Sequence, residues 1–124
     1  MTMAKILLAD DETYSLRLLQ MTLKKTGCEI VSSVNGQAAY DQAVAELPSL
    51  IVMDVMMPVL DGLGALAKLK ENEATREIPV IMLTAKGQTL TRTEAEESGA
   101  ALFLTKPFSP TELLEEVKKF LPSA

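Results

Sequence analysis

An open, doubly wound α/β fold on a five-stranded parallel sheet is the architecture this sequence predicts. Three observations predict it. Five short apolar runs recur along the chain, each followed by a segment of helical spacing. Three of the runs are nearly continuous in apolar residues, as strands covered on both faces require. At 124 residues the chain is too short for a closed β/α barrel, so the alternation implies an open sheet with helices on both faces and right-handed crossovers.

The first run is KILLA, Lys5 to Ala9, and the stripe Leu16, Leu19 and Leu23 after it gives a helix that stops at Gly27. The second, EIVSSV from Glu29 to Val34, is more mixed and suits a strand near an edge. Asn35-Gly36 has the composition of a hairpin turn, but no alternating strand follows, so Asn35 is read as a helix cap. Ala39, Ala43 and Leu47 then form a stripe ended by Pro48. LIVMD, Leu50 to Asp54, is the third run, followed by a helix marked by Leu63, Leu66 and Leu69. PVIMLT, Pro79 to Thr84, is the fourth; the helical segment after it, around Leu90 to Ser98, is polar, weakly patterned and closed by Gly99. ALFLT, Ala101 to Thr105, precedes the clearest helix, with Leu113, Leu114, Val117, Phe120 and Leu121 on one face. Ser109, Pro110 and Glu112 supply its N-cap, its N1 proline and a capping-box acid.

Composition narrows the chemistry. Residues 1–124 read as a single globular domain without repeat or linker, 48% hydrophobic and 23% charged. A net charge of −5 without a clustered basic face argues against direct nucleic-acid binding. The absence of histidine removes Ser-His-Asp hydrolases, Cys-His nucleophiles and histidine-ligated zinc. Cys28 is the sole cysteine, which excludes an internal disulfide and reads as a small half-buried side chain at a turn. No stretch approaches the ~20 apolar residues of a membrane-spanning helix. Met1 to Ala9 runs into Asp10, Asp11 and Glu12 without a signal-peptide cleavage pattern, so a cytoplasmic location is expected.

Functional groups in such sheets gather at the carboxyl ends of the strands. There the sequence places Asp10, Asp11 and Glu12 after the first strand, Asp54 at the end of the third, Thr84 at the end of the fourth, and Lys106-Pro107 after the fifth. Each has an ordinary explanation alone: helix capping for Asp10 and Asp11, strand termination for Asp54, turn chemistry for Thr84, a solvated loop for Lys106. Their convergence on one rim is the argument for a site. Crowded carboxylates repel by roughly 4 kcal/mol per pair at about 4 Å and an effective dielectric of about 20, so they share protons or hold a cation. Oxygen donors without histidine or thiolate favour a hard ion, and an open rim suits Mg2+. Asp54, ionised at neutral pH, could then attack phosphorus without a general base. The cation, Lys106, and the Thr84 hydroxyl with nearby amides would meet the charge on the three equatorial oxygens.

With Asp10-Asp11, DVMMPVLDG from Asp54 to Gly62, Thr84-Ala85 and Lys106-Pro107-Phe108 in this order and spacing, the chain resembles the receiver domain of two-component response regulators over essentially its full length. Within the central run Asp54, Met57, Pro58, Asp61 and Gly62 fit the family pattern. The resemblance implies a flavodoxin-like fold with strand order 2-1-3-4-5. It implies that Asp54 accepts a phosphoryl group from a phosphohistidine on a histidine kinase or phosphotransfer protein. Asp11, Asp54 and the backbone carbonyl of Met56 would ligate magnesium, with Asp10 acting through water. Lys106 would pair with the phosphoryl group ahead of a cis bond to Pro107, and Thr84 would shift to hydrogen-bond that group. Phe103 is either a switch aromatic that follows Thr84 or a fixed core residue. Phosphorylation would bias the face made by the fourth and fifth helical segments and the fifth strand, and a downstream protein would read it. A monomer or a weak phosphorylation-dependent dimer is expected.

Two departures stand out. Ala100-Ala101-Leu102 occupies a place where relatives often carry an acidic pair, and Met56 and Lys86 stand at the two positions that, by the resemblance, would flank the path of an attacking water. Other readings remain beside the main one. No DNA-binding or enzymatic module follows Phe120-Leu121-Pro122, as in a stand-alone receiver; the same residues also fit a receiver belonging to a longer regulator. A Mg2+-dependent phosphohydrolase with a phosphoaspartyl intermediate would generally need a second acid at position 56, which is methionine. A flavin protein of similar fold would have to place a phosphate against an acidic rim.

Overall fold

The computed structural model describes residues 4–85, 94 and 97–121. Five strands, β1 (Lys5–Ala9), β2 (Glu29–Ser33), β3 (Leu50–Asp54), β4 (Val80–Ala85) and β5 (Leu102–Lys106), form one parallel sheet in the order β2-β1-β3-β4-β5. The helices among the described residues are α1 (Thr13–Leu23), continued by a 3-10 turn at Lys24–Thr26, α2 (Gly36–Glu46), α3 (Gly62–Glu71) and α4 (Pro110–Phe120). α4 is the last helical segment of the sequence. The segment expected around Leu90 to Ser98 lies largely outside the described residues; within them, the Ser98 amide donates to the Glu94 carbonyl at 3.0 Å.

The continuous apolar runs are explained by two cores, one on each face. Leu7, Ala9, Ile51, Met53, Val80 and Met82 point to one side and pack with Ala39, Ala43, Leu66 and Leu69 of α2 and α3. Their neighbours Ile6, Leu8, Leu50, Val52, Ile81 and Leu83 point to the other and pack with Leu19, Leu23, Leu113 and Val117 of α1 and α4. A period of two along β1, β3 and β4 thus sends alternate side chains into different cores, so their central positions are all apolar.

The punctuation behaves as its chemistry dictates. Gly27 closes the first helical segment in the left-handed region at φ 79°. The Asn35 side chain accepts from the Ala38 amide at 2.7 Å, so this Asn-Gly pair starts a helix and not a hairpin. Ser109 caps α4 by accepting from the Glu112 amide at 3.3 Å. Cys28 is free, half-buried and set against the α1/α4 core. Leu47 departs from its expected stripe: it is 55% exposed at φ 46°, because α2 ends at Glu46 and the following proline turns the chain away. The fourth and fifth strands begin and end one residue later than the apolar pattern suggests, since pairing extends through Ala85 and Lys106.

Candidate functional site

The parallel register carries distant residues to one edge of the sheet. Ala9 pairs with Met53, Asp54 with Leu83, and Ala85 with Lys106. Asp10 extends β1 by one residue, its amide donating to the Ser33 carbonyl at 3.1 Å. That bond holds the Asp10 side chain inside, with no exposed surface. Its Oδ1 accepts from the Glu12 amide at 2.9 Å and its Oδ2 from the Lys106 ammonium at 2.9 Å, so both oxygens of a buried carboxylate are satisfied.

Asp54 is also buried. Its Oδ1 accepts from the Met56 amide at 3.2 Å and its Oδ2 from Lys106 Nζ at 2.9 Å. Lys106 therefore bridges two acids that are 44 residues apart, the difference of the sequence separations 96 and 52. Asp11 is exposed and completes the cluster: one carboxylate oxygen from each of Asp10, Asp11 and Asp54 lies within 4.8 Å of the others.

Electrostatics follows from this packing. Burial pushes the Asp10 carboxyl above the ordinary aspartate value, against the Glu12 amide and the lysine, which favour its ionised form. Burial also works against the charge on Lys106, but hydrogen bonds and attraction from Asp10 and Asp54 outweigh it and hold the amine above the ordinary lysine value. Three carboxylates against one ammonium leave the cluster negative. Close oxygen donors open to solvent through Asp11 fit a hard divalent cation such as Mg2+.

The remaining expected residues sit around this centre. Thr84 is half-buried near the end of β4, its hydroxyl donating to the Leu104 carbonyl of β5 at 3.5 Å, the outer limit of a hydrogen bond. Met56 is 62% exposed, touching Asp54 through its amide. Asp61 does not join the acids; it caps α3 by accepting from the Gly64 amide at 2.7 Å. Phe103 lies opposite Met82 in the sheet, partly buried against the α2/α3 core. The Lys106–Pro107 bond is cis. Lys86 lies outside the described residues. A cleft of about 370 Å³ opens beside Lys106, walled by Tyr14 and Leu18 of α1, Ala85, Pro107 and Phe108.

A family model described as the response regulator receiver domain matches residues 6–118. The chain belongs to that family. Its curated relatives include the transcriptional regulatory protein SrrA of Staphylococcus aureus (strain NCTC 8325 / PS 47), 44% identical over 117 residues. That match covers 94% of this chain and 47% of SrrA, so the receiver spans about half the length of the curated relatives it matches. Among solved structures, a response regulator from Chloroflexus aurantiacus J-10-fl superposes with a TM-score of 0.88 at 30% identity, covering 96% of this chain and 98% of the other. The receiver domain of the sensor histidine kinase PA1611 from Pseudomonas aeruginosa PAO1 gives 0.86 at 28% identity, covering 97% and 98%. That structure holds a magnesium ion coordinated in its active site cleft.

Two further residues take roles that their residue types do not signal. The amide of Glu12 holds Asp10, and Gly36 presses on the loop after β3. A backbone donor carries no residue-type signal, and an Asn-Gly pair signals only a turn or a cap.

Proposed function

We propose that this receiver takes a phosphoryl group onto Asp54 from a phosphohistidine of a kinase or phosphotransfer protein and, so modified, changes its affinity for a downstream protein. The observation that carries the reading is the Asp10–Lys106–Asp54 bridge beside the exposed Asp11. Asp11, Asp54 and the Met56 carbonyl are the residues to hold Mg2+, with Asp10 acting through water. The bound ion supplies positive charge against the oxygens of the phosphoryl group.

Asp54 attacks phosphorus, the phosphorus–nitrogen bond of the donor breaks, and the departing imidazole nitrogen takes its proton from solvent. Lys106, positioned between two acids, follows the phosphoryl oxygen that replaces the charge on Asp54. Among the described residues the Thr84 hydroxyl makes a long bond to the Leu104 carbonyl, which it can exchange for the new acceptor. The added charge of about −1.5 to −2 biases β5, α4 and the segment before β5, where a partner reads the change. The whole chain acts as one such unit, in the cytoplasm, as a monomer or a weak phosphorylation-dependent dimer, without contacting nucleic acid or membrane. Among the described residues no helix is long and apolar enough to cross a membrane. The family match does not favour the phosphohydrolase.

Incubation with acetyl phosphate and Mg2+, followed by intact mass, tests the proposal. One added phosphoryl group is expected in the wild type and none in Asp54→Ala. Equal labelling of the two proteins would reject Asp54 as the acceptor.

A further inference from the structure

The loop joining β3 to α3 is built under strain. Val59, a β-branched residue, sits at φ 70°, and the Leu60 amide donates to the Pro58 carbonyl at 2.8 Å, so Val59 is the centre of a three-residue γ-turn of the rare positive-φ kind. Such a conformation is sparsely populated by a β-branched residue and persists only where its surroundings over-determine it. Val59 is 82% exposed, so burial of its side chain does not hold the turn in place.

The restraint comes from two glycines. Gly62 pins the base of the loop: its amide donates to the Val55 carbonyl at 2.8 Å, and a Cβ there would overlap the Asp54 carbonyl oxygen and lie 2.9 Å from the Val55 Cα. Gly36, in the first turn of α2, meets the far side of the loop. A Cβ on Gly36 would overlap the Leu60 carbonyl oxygen and lie 2.6 Å from the Leu60 carbonyl carbon and 2.9 Å from the Asp61 oxygen. All of these are backbone atoms with no side-chain freedom to yield. α2 itself is braced by the Asn35 cap and by the Lys68 ammonium of α3 donating to Gln37 at 3.1 Å.

We infer that Gly36 is a positioning residue for the metal site, acting through the loop it clamps. The inference rests on the reading of Asp54 and the Met56 carbonyl as metal ligands. Backbone contact at Leu60 and Asp61 fixes the loop that the Gly62–Val55 hydrogen bond closes, and that same loop presents Met56, whose amide fixes Asp54 Oδ1. Because the helix is braced and the loop is exposed at Met56, Pro58, Val59 and Asp61, an added methyl at position 36 displaces the loop about its buried Met57, and with it the Met56 carbonyl.

Gly36→Ala tests this. In the metal-free protein, amide resonances of Met56, Leu60 and Asp61 should shift. In a Mg2+ titration followed by the same resonances, the half-saturating concentration should rise about tenfold, as for loss of a support behind a ligand. Labelling by acetyl phosphate at saturating Mg2+ should recover to within about twofold of wild type, a split that general destabilisation does not produce. Gly27→Ala, at a left-handed glycine with nothing within 4 Å, is the control for lost stability and should leave half-saturation unchanged. Should Gly36→Ala not fold, Val59→Gly gives the loop room to retreat; the double variant should fold and still bind Mg2+ more weakly than Val59→Gly alone. Equal half-saturation in either pair overturns the clamp. A wild type that shows no Mg2+-dependent shift overturns the metal reading itself, and the clamp's role falls with it.

Discussion

Replacing Lys106 by methionine keeps the aliphatic stem and deletes the charge between Asp10 and Asp54. Each 2.9 Å contact corresponds to roughly 6 kcal/mol of attraction at an effective dielectric of about 20, before desolvation is counted. The ammonium no longer has to leave water in the variant, which returns much of that sum. What remains is the penalty of leaving buried acids without their cation, about 3–5 kcal/mol in comparable sites. Lys106 is 17% exposed at a rim, which favours the lower end, about 3 kcal/mol or roughly 10 °C in Tm.

The pH dependence has a definite sign. Lys106 titrates above its ordinary 10.5 in the folded protein, so its contribution is fully present below 10.5 and is lost as pH rises through the higher folded value. The gap between wild type and Lys106→Met should therefore stay flat from neutral pH to 10.5 and close above it. Urea unfolding in EDTA across this range measures the gap, and adding Mg2+ should narrow it, since the divalent ion compensates the same oxygens. A variant as stable as wild type in EDTA at neutral pH would refute the claim that Lys106 holds the acids together.

Asp10 gives the opposite edge of the pH range. Its carboxyl is raised above the ordinary 3.8, so protons displace Mg2+ before the ordinary aspartate range is reached; the Mg2+-induced rise in Tm should shrink while pH is still above 3.8, and a constant rise down to that value would contradict it. Asn35→Ala removes the acceptor for the Ala38 amide and should cost about 1 kcal/mol in urea unfolding, with no change expected in a stability-neutral site. Met56→Asn replaces a bulky, exposed side chain beside Asp54 with a small polar one and should quicken loss of the phosphoryl group, followed by intact mass after removing the donor; an unchanged rate would remove the idea that Met56 shields Asp54 from water.

The fold was legible where physical punctuation is local. β1 and β3 end at acids that cannot continue an apolar run, and their bounds follow from sequence alone. β4 and β5 are set by hydrogen bonds to neighbouring strands, which an apolar pattern does not record, and both bounds lie one residue further on. Strand order was not readable from periodicity, because alternating strands and helices permit several orders; it came from the family resemblance. In the site, residue types and strand ends pointed to Asp10, Asp11, Asp54 and Lys106, but the single lysine nitrogen shared by Asp10 and Asp54 is a property of packing. Asp61, which the family pattern includes without assigning it a role here, serves as a helix cap. Gly36 shows the limit of motif reading: a missing side chain has no pattern of its own, and its importance appears only when the loop opposite is in place.

The most direct test of the account is chemical trapping of the acceptor. Protein labelled with acetyl phosphate and Mg2+ is treated with borohydride, which reduces an acyl phosphate to the alcohol, and its peptides are then sequenced by mass spectrometry. Conversion of Asp54 to homoserine is expected, with Asp10 and Asp11 unchanged; trapping at either of those two residues, or at none of the three in labelled protein, would contradict Asp54 as the acceptor.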